Sequence, residues 1–140
     1  MSQAETIAEL GSRINIIEEA YEFMLAYASQ GLPSDQGSDT GRQAREYLKK
    51  CDAALGGLPG VITHYVAHQT LTPTAPYDAF IAVIERDAQH SQAAIQLVLA
   101  QPAISSQMVD NLNASIHLRA LLTDLFLIDE VLKTRKQQNS

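Results

Sequence analysis

Asp87 and His90 are the two residues whose types and spacing could best do chemistry, because they lie three positions apart within the segment from Tyr77 to Gln101. A spacing of three places both side chains on one face of a helix. A carboxylate and an imidazole on such a face can ligate one metal ion between helices, as in the bundles that hold iron. The pair therefore indicates a candidate transition-metal site.

The remaining ligands of such an ion would have to come from other helices. Residues on the first and last predicted helices complete the set, and the predicted metal site consists of Asp87, His90, Glu18, Glu22 and His117. Asp124 shares the helical stripe of His117, whereas His64 and His68 form a separate pair. The second Glu-x-x-His motif that a di-iron bundle needs is missing. There are two alternative interpretations of Asp87 and His90. They form a hydrogen-bonded polar pair in the core, or they act in ligand binding or proton transfer.

The helix that carries this pair has a regular apolar row with alternating spacings of three and four residues. The row consists of Phe80, Val83, Asp87, His90, Ala94 and Leu97. Such alternation is typical of the side of a helix that packs against its neighbours. We therefore expect Asp87 and His90 to face inward, between helices.

The chain has 140 residues, of which 46% are hydrophobic and 19% charged, which favours one folded domain over residues 1–140. No alternating strand pattern competes with the helical periods. We predict five helices, a short one of which covers about residues 59–69. The first begins after Ser2 in a capping box with Glu5, and the last is one long helix of about thirty residues that begins at Ser105 or Ser106 and includes the basic tail after Leu132. The predicted class is all-α: an antiparallel four-helix bundle with one additional short helix.

The composition of the chain limits the kinds of partner and the cellular compartment that we expect. The net charge of −6 and the pI near 5.0 argue against nucleic acid as a partner. The start of the chain has no signal-peptide pattern and no apolar stretch is long enough to cross a bilayer, so we expect no membrane contact and a cytoplasmic location. The single cysteine, Cys51, excludes an internal disulfide, and its place in the apolar row of the second helix predicts burial.

The loop from Gln30 to Gly41 is rich in turn residues, and it separates the first helix from a visibly shorter second one. No nucleophile elbow, phosphate-binding loop or dinucleotide motif occurs, which argues against an enzyme. Wide apolar faces on the first and last helices favour a non-enzymatic binding or regulatory module that acts through protein–protein contacts, as a homodimer. The alternative is a four-helix bundle that binds a metal or a small ligand around Asp87 and His90.

Overall fold

The computed structural model describes residues 2–69 and 71–138, with side chains through Arg135. This part of the chain is helical and contains no strand. Its helices are α1 (Gln3–Ala28), α2 (Asp39–Leu55), α3 (Leu58–Ala67), α4 (Ala75–Leu99), α5 (Ser106–Ala114) and α6 (His117–Gln138). The predicted all-helical class is confirmed for these residues, and the four-helix topology stays a prediction.

Local sequence signals account for most of the helix ends. The predicted capping box is present, because the Ser2 hydroxyl accepts from the Glu5 amide and the Glu5 carboxylate accepts from the Ser2 amide. Ser38 caps α2 in the same way by accepting from the Gly41 amide at 3.0 Å. Between α2 and α3, Gly57 adopts a φ of 82°, a conformation that glycine adopts without steric cost.

Side-chain contacts give the relative directions of the long helices. Arg13, in the first half of α1, donates to the carbonyls of Ala54 at 2.9 Å and Gly56 at 2.6 Å, at the end of α2. The first half of α2 meets the end of α4, where Arg45 donates to the carbonyl of Leu99 at 3.2 Å. Helices α1 and α2 therefore run antiparallel, and so do α2 and α4. Helix α4 packs mainly on α2 and α6, whereas α1 packs mainly on α2, α5 and α3.

The last helix is interrupted, contrary to the sequence prediction. Helix α5 ends at Ala114, and Ile116 takes a φ of 61°, in the left-handed region that β-branched residues rarely adopt. The Ser115 hydroxyl donates to the carbonyl of Leu112 at 2.6 Å and thereby satisfies part of the free helix end. The break has a packing reason, because α5 lies mainly against α1 whereas α6 lies mainly against α4.

The predicted inward row of α4 is wrong by one position. The buried residues of this helix are Ile84, Ala88, Ser91, Ile95 and Val98. His90 is exposed and Asp87 is half-buried on the flank of the helix. Ser91 can occupy a core position because its hydroxyl donates to the Asp87 carbonyl one turn earlier, at 2.8 Å. Asp87 and His90 therefore lie outside the buried row of this helix.

The second helix agrees with its prediction. Its buried residues include Ala44, Leu48, Cys51 and Leu55. Cys51 is 1% exposed, and burial, followed by the nearby Asp52 charge, raises the pKa of its thiol to about 12. Among the described residues, no helix has both the length and the apolar character needed to cross a membrane.

Candidate functional site on the α4–α6 face

The antiparallel packing of α4 and α6 brings ionisable residues of both helices together. Asp87 and Asp124 face each other in hydrogen-bonding contact, and the rings of His90 and His117 lie with their centroids 5.2 Å apart. We call the surface built around them the α4–α6 face. It consists of the α4 row Phe80, Val83, Asp87, His90, Ala94 and Leu97, with His117, Asp124 and Leu127 of α6.

The two carboxyl groups form a pair without a cation. Burial, followed by the hydrogen bond with Asp87 and the charge of Asp87, raises the pKa of Asp124 to about 7. The Oδ2 atom of Asp124 is buried and has no hydrogen-bond partner. Within the described residues, no ion pair joins either carboxylate to a lysine or an arginine. Asp124 therefore exchanges a proton near neutral pH.

His90 lies about one helical turn from Asp87 on α4, and His117 lies about two turns from Asp124 on α6. His90 is exposed and His117 is half-buried, and their ring planes are inclined by 60°. The centre of the face thus holds two carboxyl groups and two imidazoles, side by side along the groove between the helices.

An apolar groove lies at each end of this polar centre. One groove, of about 410 Å³, lies between the end of α4 and α5 and is lined by Ala94, Leu97, Val98, Met108, Leu112 and neighbouring polar residues. The other groove, of about 400 Å³, lies between α6 and the start of α4. It is lined by Tyr77, Phe80, Leu127, Ile128, Val131 and neighbouring residues. Leu97 is 66% exposed and Leu127 is 54% exposed. The face is therefore apolar at both ends and ionisable in the middle.

The structure assembles only part of the predicted metal site. Asp87, His90 and His117 meet on the α4–α6 face, but Glu18 and Glu22 lie on α1, which does not pack extensively on α4. Within residues 2–69 and 71–138, no group of three or more His, Cys, Asp or Glu side chains is arranged to hold a metal ion. The metal site stays a prediction. Asp124 was absent from the predicted set, although its distance of seven residues from His117 places both on one face of α6.

The structure contains a second polar cluster, which was not predicted from the sequence. Asp35, in the loop after α1, accepts from Arg45 Nε at 2.8 Å and from the Ile104 amide at 2.6 Å. Arg45 also donates to the carbonyls of Leu99 and Gln101. Burial by itself would raise the pKa of Asp35, but these hydrogen bonds and the Arg45 charge hold it below its ordinary value. We call these residues the Asp35–Arg45 cluster.

The Asp35–Arg45 cluster borders a cleft of about 510 Å³ formed by the loop and the start of α2. Its polar groups are paired with one another and with backbone atoms of the α4–α5 connection. Tyr27 adds to this network by donating to the Ile104 carbonyl at 2.7 Å. These contacts fasten the loop to the end of α4, so the role of the Asp35–Arg45 cluster is structural.

The chain matches no protein-family model, and comparisons with curated proteins and with solved structures also found no match.

Proposed function

We propose that the chain is a non-enzymatic, cytoplasmic binding module that acts through protein–protein contacts and works as a homodimer. The α4–α6 face is the contact surface. In this proposal, α1, α2, α4 and α6 form an antiparallel four-helix bundle. The short helices α3 and α5 cover its ends, so that the outer side of the α4–α6 pair remains available to a partner.

The observation that carries the proposal is the exposure of large apolar side chains along one face. Leu97 and Leu127 are more than half exposed, and each borders an apolar groove. Exposed apolar surface of this kind costs free energy in water and is typical of protein contact sites. Ile116, 58% exposed at the break between α5 and α6, follows directly after Ser115 in the wall of one groove.

Sedimentation velocity over a wide concentration range tests the proposal. The wild-type chain should sediment as a dimer, and Leu97→Glu should weaken the dimer by about a hundredfold, since it puts a charge into an apolar contact. Leu25→Glu is the matched control, because Leu25 is 47% exposed on α1, away from the face. A wild-type chain that stays monomeric at the highest concentration would contradict homodimer formation. Equal weakening by both variants would contradict the choice of face.

A further inference from the structure

The α4 row lies at the surface, and its residue types and spacings are symmetric about its midpoint. Its spacings are three, four, three, four and three, which is the pattern of a coiled-coil seam. Read from either end, the row goes from large apolar to small apolar to ionisable. The two-fold midpoint of the row lies between Ala88 and Gln89. Such a row can pack against a second copy of itself that runs in the opposite direction.

We infer that the partner on the α4–α6 face is a second copy of this chain, with the two α4 helices antiparallel about a two-fold axis between Ala88 and Gln89. This inference rests on the proposed function and adds the register of the dimer. Phe80 packs against the partner's Leu97, and Val83 packs against the partner's Ala94. Asp87 lies opposite the partner's His90.

Charge complementarity selects this direction of packing. In the antiparallel register, the carboxyl pair of one copy meets the imidazole pair of the other, and the same contact occurs twice. A parallel arrangement would instead place Asp87 on the partner's Asp87, and like charges in contact oppose association. Within the described residues, no lysine or arginine forms an ion pair with the carboxyl pair, and in the antiparallel register an imidazole N–H of the partner can donate a hydrogen bond to it.

The apolar grooves fit the same symmetry. The two-fold axis places the groove at the start of α4 in one copy opposite the groove at the end of α4 in the other copy. The strongly exposed Leu97 of one copy enters the groove beside Phe80 and Leu127 of the other. The row from Phe80 to Leu97 extends over about 25 Å of helix, which allows several layers of side chains to interdigitate.

Cysteine cross-linking of two variants tests the register. Val83→Cys and Ala94→Cys are prepared separately, mixed and oxidised gently. The register brings the introduced thiols at these two positions together across the dimer, whereas two copies of one position lie about 16 Å apart along the helices, beyond the reach of a disulfide. We expect a covalent dimer from the mixture and at least tenfold less from either variant alone. Native Cys51 is buried and its thiol pKa is about 12, so it does not interfere.

The outcomes separate this inference from the proposed function. Leu25→Cys mixed with either variant is the control and should give no covalent dimer. A dimer in sedimentation without the mixed cross-link would overturn the register and leave the proposed homodimer intact. A chain that never dimerises would overturn both. Equal cross-linking by each variant alone would also overturn the register, because it requires position 83 to meet position 83.

A charge exchange provides an independent measurement. In the proposed register, Asp87→Lys faces the partner's His90, and His90→Glu faces the partner's Asp87. Each variant should therefore self-associate about tenfold more weakly than the wild type. Their mixture pairs the introduced lysine of one variant with the introduced glutamate of the other and should recover the wild-type affinity as a heterodimer. Circular dichroism confirms that both variants remain helical. A mixture no tighter than its components would overturn the pairing of positions 87 and 90.

Discussion

Asp35 and Asp124 are both acidic residues packed between segments of the chain, but their surroundings differ in kind. Asp35 receives hydrogen bonds from Arg45 and the Ile104 amide, and its pKa is lowered. Asp124 meets another carboxyl group, its Oδ2 atom has no partner, and its pKa is raised to about 7. A buried charge that is fully paired stabilises one conformation. A partly buried carboxyl group beside a second carboxyl group is unfavourable in its charged form, which is why the pKa of Asp124 is raised.

Replacing Arg45 should have the largest effect, because it removes the cation of a buried carboxylate. We expect Arg45→Ala to lower the free energy of unfolding by about 3 kcal/mol, since Asp35 would stay buried with its charge unpaired. Arg42→Ala is the matched control. The Arg42–Asp39 ion pair is 75% and 88% exposed, so its loss should cost less than about 0.5 kcal/mol. Urea denaturation measures both, and equal losses would contradict the structural role of the Asp35–Arg45 cluster.

The loop that carries Asp35 should also be sensitive to Gly41. A Cβ atom at position 41 would collide with the backbone of Asp35, which is not free to move away. Gly41→Ala should therefore cost about 2 kcal/mol of the free energy of unfolding. Gly11→Ala serves as the opposite control, because position 11 in α1 is open and alanine favours a helix there by about 1 kcal/mol. A neutral Gly41→Ala would show that the loop does not pack tightly on α2.

A similar contrast, between α2 and α4, shows how much of the structure could be predicted from the sequence. The core of α2 was predicted because only one of its faces is apolar, and Ala44, Leu48 and Cys51 are buried there. Helix α4 has two neighbouring rows of similar apolar content, so periodicity could not tell which of the two is buried. The packing of α4 on α2 and α6 buries the row that contains Ala88 and Ser91. The row with Asp87 and His90 was wrongly predicted to be the inward one.

The other differences come from contacts between residues far apart in the sequence. The hydrogen bond between Asp35 and Ile104 joins residues that are 69 positions apart in the sequence, and no local sequence pattern in the loop predicts it. The break at Ile116 likewise follows from the different neighbours of α5 and α6, since no proline or glycine marks it. The pairing of Asp87 with Asp124 depends on how α4 and α6 are aligned, which is a tertiary property. Sequence periodicity could therefore identify the helices but not their mutual register.

The two acids should also differ in the pH dependence of stability, measured on dilute, monomeric protein. The folded pKa of Asp35 lies below 3.8, so the folded chain binds its proton more weakly than the unfolded chain. The contribution of Asp35 is present above pH 3.8 and is lost as the pH falls further. For Asp124, whose folded pKa is about 7, the folded chain binds the proton more tightly, so stability falls as the pH rises from 3.8 to about 7.

Asparagine variants separate these two pH dependences. Asp124→Asn removes the ionisation and should make the chain more stable than the wild type at pH 8, with the difference shrinking as the pH falls from about 7 to 3.8. Asp35→Asn should be less stable than the wild type at pH 8, and this deficit should decrease in acid. Thermal unfolding at a series of pH values measures both variants. Two variants with the same pH dependence would mean that both acids have equally satisfied surroundings, and the argument that the α4–α6 face lacks a charged partner would fail.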